Sequence, residues 1–185
     1  MVSNQNKNQT MKKGLFTVIL IFFAFALQAQ RNVDRTNFRA GVNGGLVLGD
    51  FSEAYKFGLG VDLYHHWGVS KVFDIGVTTG FFNAFGSKED ISAGGLVAET
   101  EFDNIQFLPV AASFRAYPGK NVGFKFGFDV GYALGINEGN EGGLFYRPTI
   151  GTDLRDGTNE VNISYMVVKD NVQFSSVVLS YLFLF

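Results

Sequence analysis

Residues 122–135 read "VGFKFGFDVGYALG". Val122, Phe124, Phe126, Phe128, Val130, Tyr132 and Leu134 take one set of alternate positions. Gly123, Lys125, Gly127, Asp129, Gly131, Ala133 and Gly135 take the other. A period of two is the signature of a β-strand, whose successive side chains point to opposite faces. One face is bulky and apolar, and the other is tiny or charged.

The same contrast recurs along the chain. In "YKFGLGVDLYHHW", Tyr55, Phe57, Leu59, Val61 and Leu63 oppose Lys56, Gly58, Gly60 and Asp62. In "FDIGVTTGF", Phe73, Ile75 and Val77 oppose Asp74, Gly76 and Thr78. Phe38, Val42, Leu46 and Leu48 oppose Arg39, Gly41, Asn43 and Gly45. Further strands are predicted near 104–117, 144–154, 160–168 and 172–185, which brings the count to about eight. "GVSK", "PGKN" and "DGTN" read as tight hairpin turns. The segments "GDFSEA", "GSKEDISAGGLVAETE" and "NEGNEGG" between them read as longer loops, and "KDN" is a short exception. Pro109 and Pro148 fall inside predicted strands, where proline removes a ladder donor, so a bulge or bend is expected at each.

Charged residues make up 17% of the 185-residue chain, below the quarter typical of soluble domains. Cysteine is absent, which excludes a disulfide framework, a thiolate metal site and a cysteine nucleophile. The formal net charge of -2 argues against a dedicated nucleic-acid binder. Near the N-terminus, Lys12 and Lys13 precede an apolar run from Leu15 to Leu27, followed by Ala29. That is the layout of a secretory signal peptide, too short for a comfortable membrane-spanning helix. The expected division is a signal peptide over 1–29, with Met1 or Met11 as the start, a short periplasmic segment over 30–36, and a barrel over 37–185.

A soluble barrel would hide the apolar face inside. The lumen of an eight-stranded barrel is only just wide enough for side chains, and the glycine face suits it better. The Phe/Leu/Val face then looks out into lipid. Closure pairs every backbone group, which hydrocarbon demands. The expected fold is all-β: an eight-stranded antiparallel up-and-down transmembrane β-barrel. Short turns at one end and longer loops at the other fit that architecture.

The closing stretch, "VVLSYLFLF", sets Val177, Leu179, Tyr181, Phe183 and Phe185 on one face. With the leader and the alternation, it makes residues 37–185 resemble the small outer-membrane β-barrel (porin-like) proteins of double-membraned bacteria. The resemblance implies localisation in the outer membrane, after export by a cleaved signal peptide. It also implies that Tyr181, Phe183 and Phe185 form a C-terminal signal read by the barrel-assembly machinery. The same side chains would serve equally as an aromatic girdle at the membrane interface. The termini and tight turns are expected on the periplasmic side.

Charges on the lumen face should meet as pairs, because unpaired buried charge is costly. The candidate polar network is Arg39, Lys56, Asp62, His66, Asp74, Arg115, Lys125, Asp129, Arg147 and Asp153. Hairpin register brings Asp129 to Arg147, Lys125 to Asp153, and Asp74 to Arg115, with His66 near Asp74. The outer loops are acidic, with Glu89, Asp90, Glu99, Glu101 and Asp103 prominent. Cation-bridged contact with anionic lipopolysaccharide, cation attraction at a pore mouth, and a merely solvated rim all fit that charge.

Lipid-modifying enzymes also use such barrels, but their chemistry needs a nucleophile beside a base. The two histidines, His65 and His66, are adjacent, on opposite faces, and at the predicted periplasmic end. No catalytic residue, cofactor or metal site is therefore assigned. The expected role is structural or surface-interacting, with a largely packed polar lumen. A narrow channel for small or hydrophobic solutes is the alternative, and a lipid-modifying enzyme stands behind it. The expected partners are outer-membrane lipid and lipopolysaccharide, plus the assembly machinery during biogenesis, for a chain that is a monomer.

Overall fold

Alternating side chains become strands that close on themselves. A computed structural model describes residues 37–93, 96–118, 123–154 and 158–185. Its strands are β1 (Asn37–Leu48), β2 (Tyr55–Gly68), β3 (Phe73–Gly86), β4 (Lys88–Ala93), β5 (Leu96–Glu101), β6 (Ile105–Ala116), β7 (Phe124–Gly135), β8 (Gly142–Leu154), β9 (Asn159–Lys169) and β10 (Gln173–Leu184). Eight of them form a closed barrel in the order β1-β10-β9-β8-β7-β6-β3-β2. Every neighbouring pair is antiparallel. At the seam, β1 pairs with β10, and the Phe185 amide donates to Phe38 O at 2.8 Å. The barrel strands have 11–14 residues, enough to cross hydrocarbon when tilted. The region 1–36, including the expected signal peptide, lies outside the described residues, as do parts of the "PGKN" and "DGTN" turns.

The two faces divide by polarity. Leu46, Leu59, Val77, Val110, Phe126, Ile150, Ile163 and Leu179, from eight different strands, are each about half exposed on the outer wall. Among the described residues, that wall carries no Asp, Glu, Lys or Arg between its rims. The inward positions hold the buried ions and the glycines. Such a barrel is inside-out relative to a soluble one, and it is a transmembrane barrel.

Glycine lets the strands curve this tightly. A Cβ on Gly41 would lie 2.0 Å from Tyr181 O, and one on Gly131 would lie 2.1 Å from Val110 O. Neither backbone contact can yield without opening the wall.

Three local features differ from the sequence expectation. Neither proline makes a bulge: Pro109 pairs with Ala133 and Pro148 with Phe128. Each instead interrupts one ladder, between Thr79/Val110 and Phe82/Phe107, and between Tyr146/Val167 and Thr149/Ser164. Register is the same on both sides of each gap, so the missing donor costs pairing and not alignment. The irregularity lies in β2, between Tyr55 and Gly58. It turns Tyr55 inward against the lumen's apolar cluster and leaves Phe57 outside. Finally, the long segment after β3 contains the hairpin β4–β5, a separate two-stranded ribbon. Its sequence lacks clean alternation and reads as a loop.

Two measurements check the division of faces. An arginine at outward Phe128, mid-strand, should destabilise the inserted barrel by about 2–4 kcal/mol, and one at Leu134 near the rim by about 1 or less. Gly131→Val should cost at least ~2 kcal/mol by overpacking. Both are read by urea unfolding in lipid. A lower temperature for loss of the compact gel band, comparing unheated with boiled samples, should follow the same order.

Candidate functional site

The lumen is filled by two stacked layers. Toward the end that carries the termini and tight turns, the inward side chains are ionic. Toward the loop end they are apolar.

The ionic layer contains two chains of alternating charge. In the first, Arg147 Nη1 donates to Asp62 Oδ1 at 2.9 Å and Arg147 Nε to Asp129 Oδ2 at 3.1 Å. Arg115 Nη1 donates to Asp129 Oδ1 at 2.7 Å. Asn43 Nδ2 donates to the other Asp62 oxygen at 2.8 Å. The Tyr64 hydroxyl accepts from Arg147, and its ring lies 5.0 Å from the Arg115 guanidinium and 5.6 Å from that of Arg147. In the second chain, Glu160 bridges Lys125 and Arg39, the latter at 3.2 Å. Lys125 also reaches Asp153 at 3.2 Å. Asn162 Nδ2 donates to Glu160 Oε1 at 2.8 Å. Arg39 Nη2 donates to the Tyr117 hydroxyl at 3.0 Å. Tyr117 lies just past β6, and burial pushes its hydroxyl up to about 12 against the pull of Arg39.

Pairing across strands accounts for this arrangement. Asp129 sits directly opposite Arg147 on β7 and β8, so their contact is local. Lys125 sits opposite Gly151, which leaves its long side chain room to reach both Asp153 and Glu160. Asp74 is opposite Arg115 in register, yet Arg115 turns to Asp129. His66 is fully buried but does not take Asp74; its Nε2 meets Ser113 Oγ at 2.8 Å. Lys56 is not in the lumen. The irregularity in β2 leaves it exposed, with Nζ donating to Ser52 O at 3.0 Å. Glu160, Tyr64, Tyr117, Asn43, Asn162 and Ser113 join the network without having been singled out in the sequence. Glu160 was discoverable, since it opposes Asp153 in the β8–β9 hairpin.

His66 and Ser113 are not arranged as a nucleophile and its base. Ser113 Oγ donates its proton to Asp129 Oδ1 at 2.7 Å. The His66 nitrogen facing it must therefore be the N–H donor, and cannot accept the serine's proton. His65 lies on the outer wall, edge-on to Trp67 with ring centroids 4.5 Å apart, as suits an interfacial pair.

The apolar layer comprises Val47, Phe82, Phe107, Phe145, Met166, Val168, Phe174 and Val178 with smaller residues. Phe174 is central, with Phe107 at 5.0 Å and Phe51 at 5.8 Å between ring centroids. Beyond it stand the loops. Glu89 and Asp90 fall on β4, Glu99 and Glu101 on β5, and Asp103 just after. In register, Lys88 faces Glu101 and Asp90 faces Glu99. Tyr181, Phe183 and Phe185 lie at the turn end of the outer wall, with Tyr181 and Phe183 edge-to-face at 5.0 Å and Phe185 at 6.2 Å from Phe38.

Glu160→Gln should cost about 3–5 kcal/mol, because it removes the buried carboxylate that Arg39 and Lys125 share. Asp153→Asn should cost no more than about 1 kcal/mol, since Asp153 is partly solvated and Lys125 keeps Glu160. Urea titration of the folded barrel, followed by intrinsic fluorescence, measures both.

No protein-family model matches the sequence, and no curated protein matches it. Solved structures do. The Yersinia pestis outer membrane protein Ail in a phospholipid bilayer nanodisc aligns with a TM-score of 0.51 at 14% identity, over 82% of this chain and 100% of that one. The crystal structure of Ail, the attachment invasion locus protein, aligns at 0.49 and 16% identity, over 81% and 97%. Its complex with the heparin analogue sucrose octasulfate aligns at 0.46 and 15% identity, over the same shares. At such identities the likeness is one of architecture. The chain has the eight-stranded fold of an outer-membrane barrel protein.

Proposed function

We propose that this protein is an integral outer-membrane barrel with a sealed lumen, and that its work is done by the loop end at the cell surface in a structural or surface-interacting role. The observation that carries the reading is the double filling of the lumen. A permeant would have to part the Asp62–Arg147–Asp129–Arg115 chain and then pass the Phe82–Phe107–Phe174 layer. Ions bound this closely to fixed countercharges do not make a water-filled path. The sealed interior leaves the loops as the part free to meet other molecules.

The orientation follows from the asymmetry of the connections. The tight turns and both ends of the described chain lie together, and that side faces the periplasm; the β4–β5 ribbon and the acidic segments face outward. The acidic loops suit contact with lipopolysaccharide through bridging divalent cations. Tyr181, Phe183 and Phe185 would be read by the assembly machinery during insertion, and sit as an interfacial girdle afterwards. The lumen histidine, with its serine neighbour's proton committed to Asp129, favours a non-enzymatic role.

In planar bilayers the purified barrel should show no steady conductance, and large, long-lived openings would overturn the sealed reading. Incubated with phospholipid or lipid A, it should release no fatty acid. Hydrolysis abolished by His66→Ala would replace the surface role with an enzymatic one.

A further inference from the structure

The loop end of the lumen is not flush. Above the apolar layer lies a cavity of about 460 Å³, open to the surface. That is within the range of small-molecule sites, roughly 300–1,000 Å³. Its apolar lining is largely aromatic: Phe107 and Phe174 are buried and Phe51 and Tyr55 half-buried, with Ile105, Val168 and Val172 beside them. Its rim carries Glu141 and Asp170, the latter accepting from Asn171 Nδ2 at 3.0 Å, and among the described residues no Lys, Arg or His lines it.

The rim is held in place. Gly139 and Gly142, with φ of +79° and +80°, frame the short loop that carries Glu141, a backbone conformation that side chains rarely adopt. Asn140 Nδ2 donates to Gln106 O at 2.7 Å, and the Gln106 amide donates to Asn137 Oδ1 at 2.8 Å. The loop is thereby tied to β6.

Aromatic faces and carboxylates share one electrostatic preference, for positive charge. An anion would meet two carboxylates and four aromatic residues. A neutral hydrocarbon would gain the floor and nothing from the rim. We propose that this cup binds a small organic cation with an apolar or aromatic body, such as a primary or quaternary ammonium. The body would rest on Phe51, Tyr55 and Phe174, with the charge toward Glu141 and Asp170. The inference goes beyond the proposed surface role, and it does not depend on whether the lumen conducts.

Benzyltrimethylammonium is a suitable probe, with benzenesulfonate and benzyl alcohol as its anionic and neutral counterparts. Ligand-observed NMR on the full barrel in zwitterionic nanodiscs, with empty nanodiscs as reference, reads binding of each. The ammonium should bind saturably, and more weakly as salt rises. Glu141→Gln with Asp170→Asn should weaken it about three- to tenfold, and Phe51→Ala by a similar factor. All three positions lie outside the barrel strands, and the heat-dependent gel shift checks that each variant is folded. Glu141→Gln alone serves if the double variant is not. The proposal is overturned if the sulfonate binds as well as the ammonium, if binding matches that of empty nanodiscs, or if folded variants bind unchanged.

Discussion

A charge buried inside a narrow barrel is costly unless an opposite charge meets it, and here most of those partners come from another strand. This requirement organises the turn end of the molecule. The first ionic chain draws on β2, β6, β7 and β8, and the second on β1, β7, β8 and β9. Backbone ladders join each strand only to its neighbours. The side-chain chains cross the lumen, and Arg147 reaches Asp62 on the far side of the sheet order. Asp129 accepts from both Arg115 and Arg147, and the Tyr64 ring adds a cation–π contact with each guanidinium. The charges balance within each chain, two cations against two carboxylates.

The outer wall has the reverse requirement. Lipid offers no partner to a polar group, so the wall is built from Phe, Leu, Val and Ile, and the backbone satisfies itself by closing. The glycines connect the two demands. They take up almost no lumen volume, which leaves room for arginine and lysine side chains, and they allow neighbouring backbones to approach closely. A barrel of this size could hold neither large inward residues at every position nor none at all.

Much of this was legible because period two has one meaning when it recurs at regular spacing. The stretch 122–135 alone separates the faces, and the hairpin positions of Asp129 and Arg147 place them opposite each other. What was not legible has identifiable causes. At the loop end both faces are apolar, in "FFNAF" and "MVV", so alternation fades where the second layer of the lumen begins. Lys56 follows the lumen parity in the sequence, but one irregular residue in β2 reverses the sense, and nothing local announces it. Register fixes which backbones are adjacent and not which way a long side chain turns. Arg115 accordingly abandons Asp74 for Asp129, and His66 takes Ser113. The β4–β5 ribbon forms a separate two-stranded sheet, and its sequence leaves no period-two trace.

The layering has a consequence for how the barrel could diverge. Sliding any of the ion-bearing strands by one residue would swing a carboxylate or guanidinium into acyl chains, so the turn end acts as a vernier that permits a single alignment. The apolar plug tolerates rearrangement, since one hydrocarbon contact resembles the next. Lineages could therefore lengthen, trim or exchange the segments above it while the lower half keeps the staves aligned.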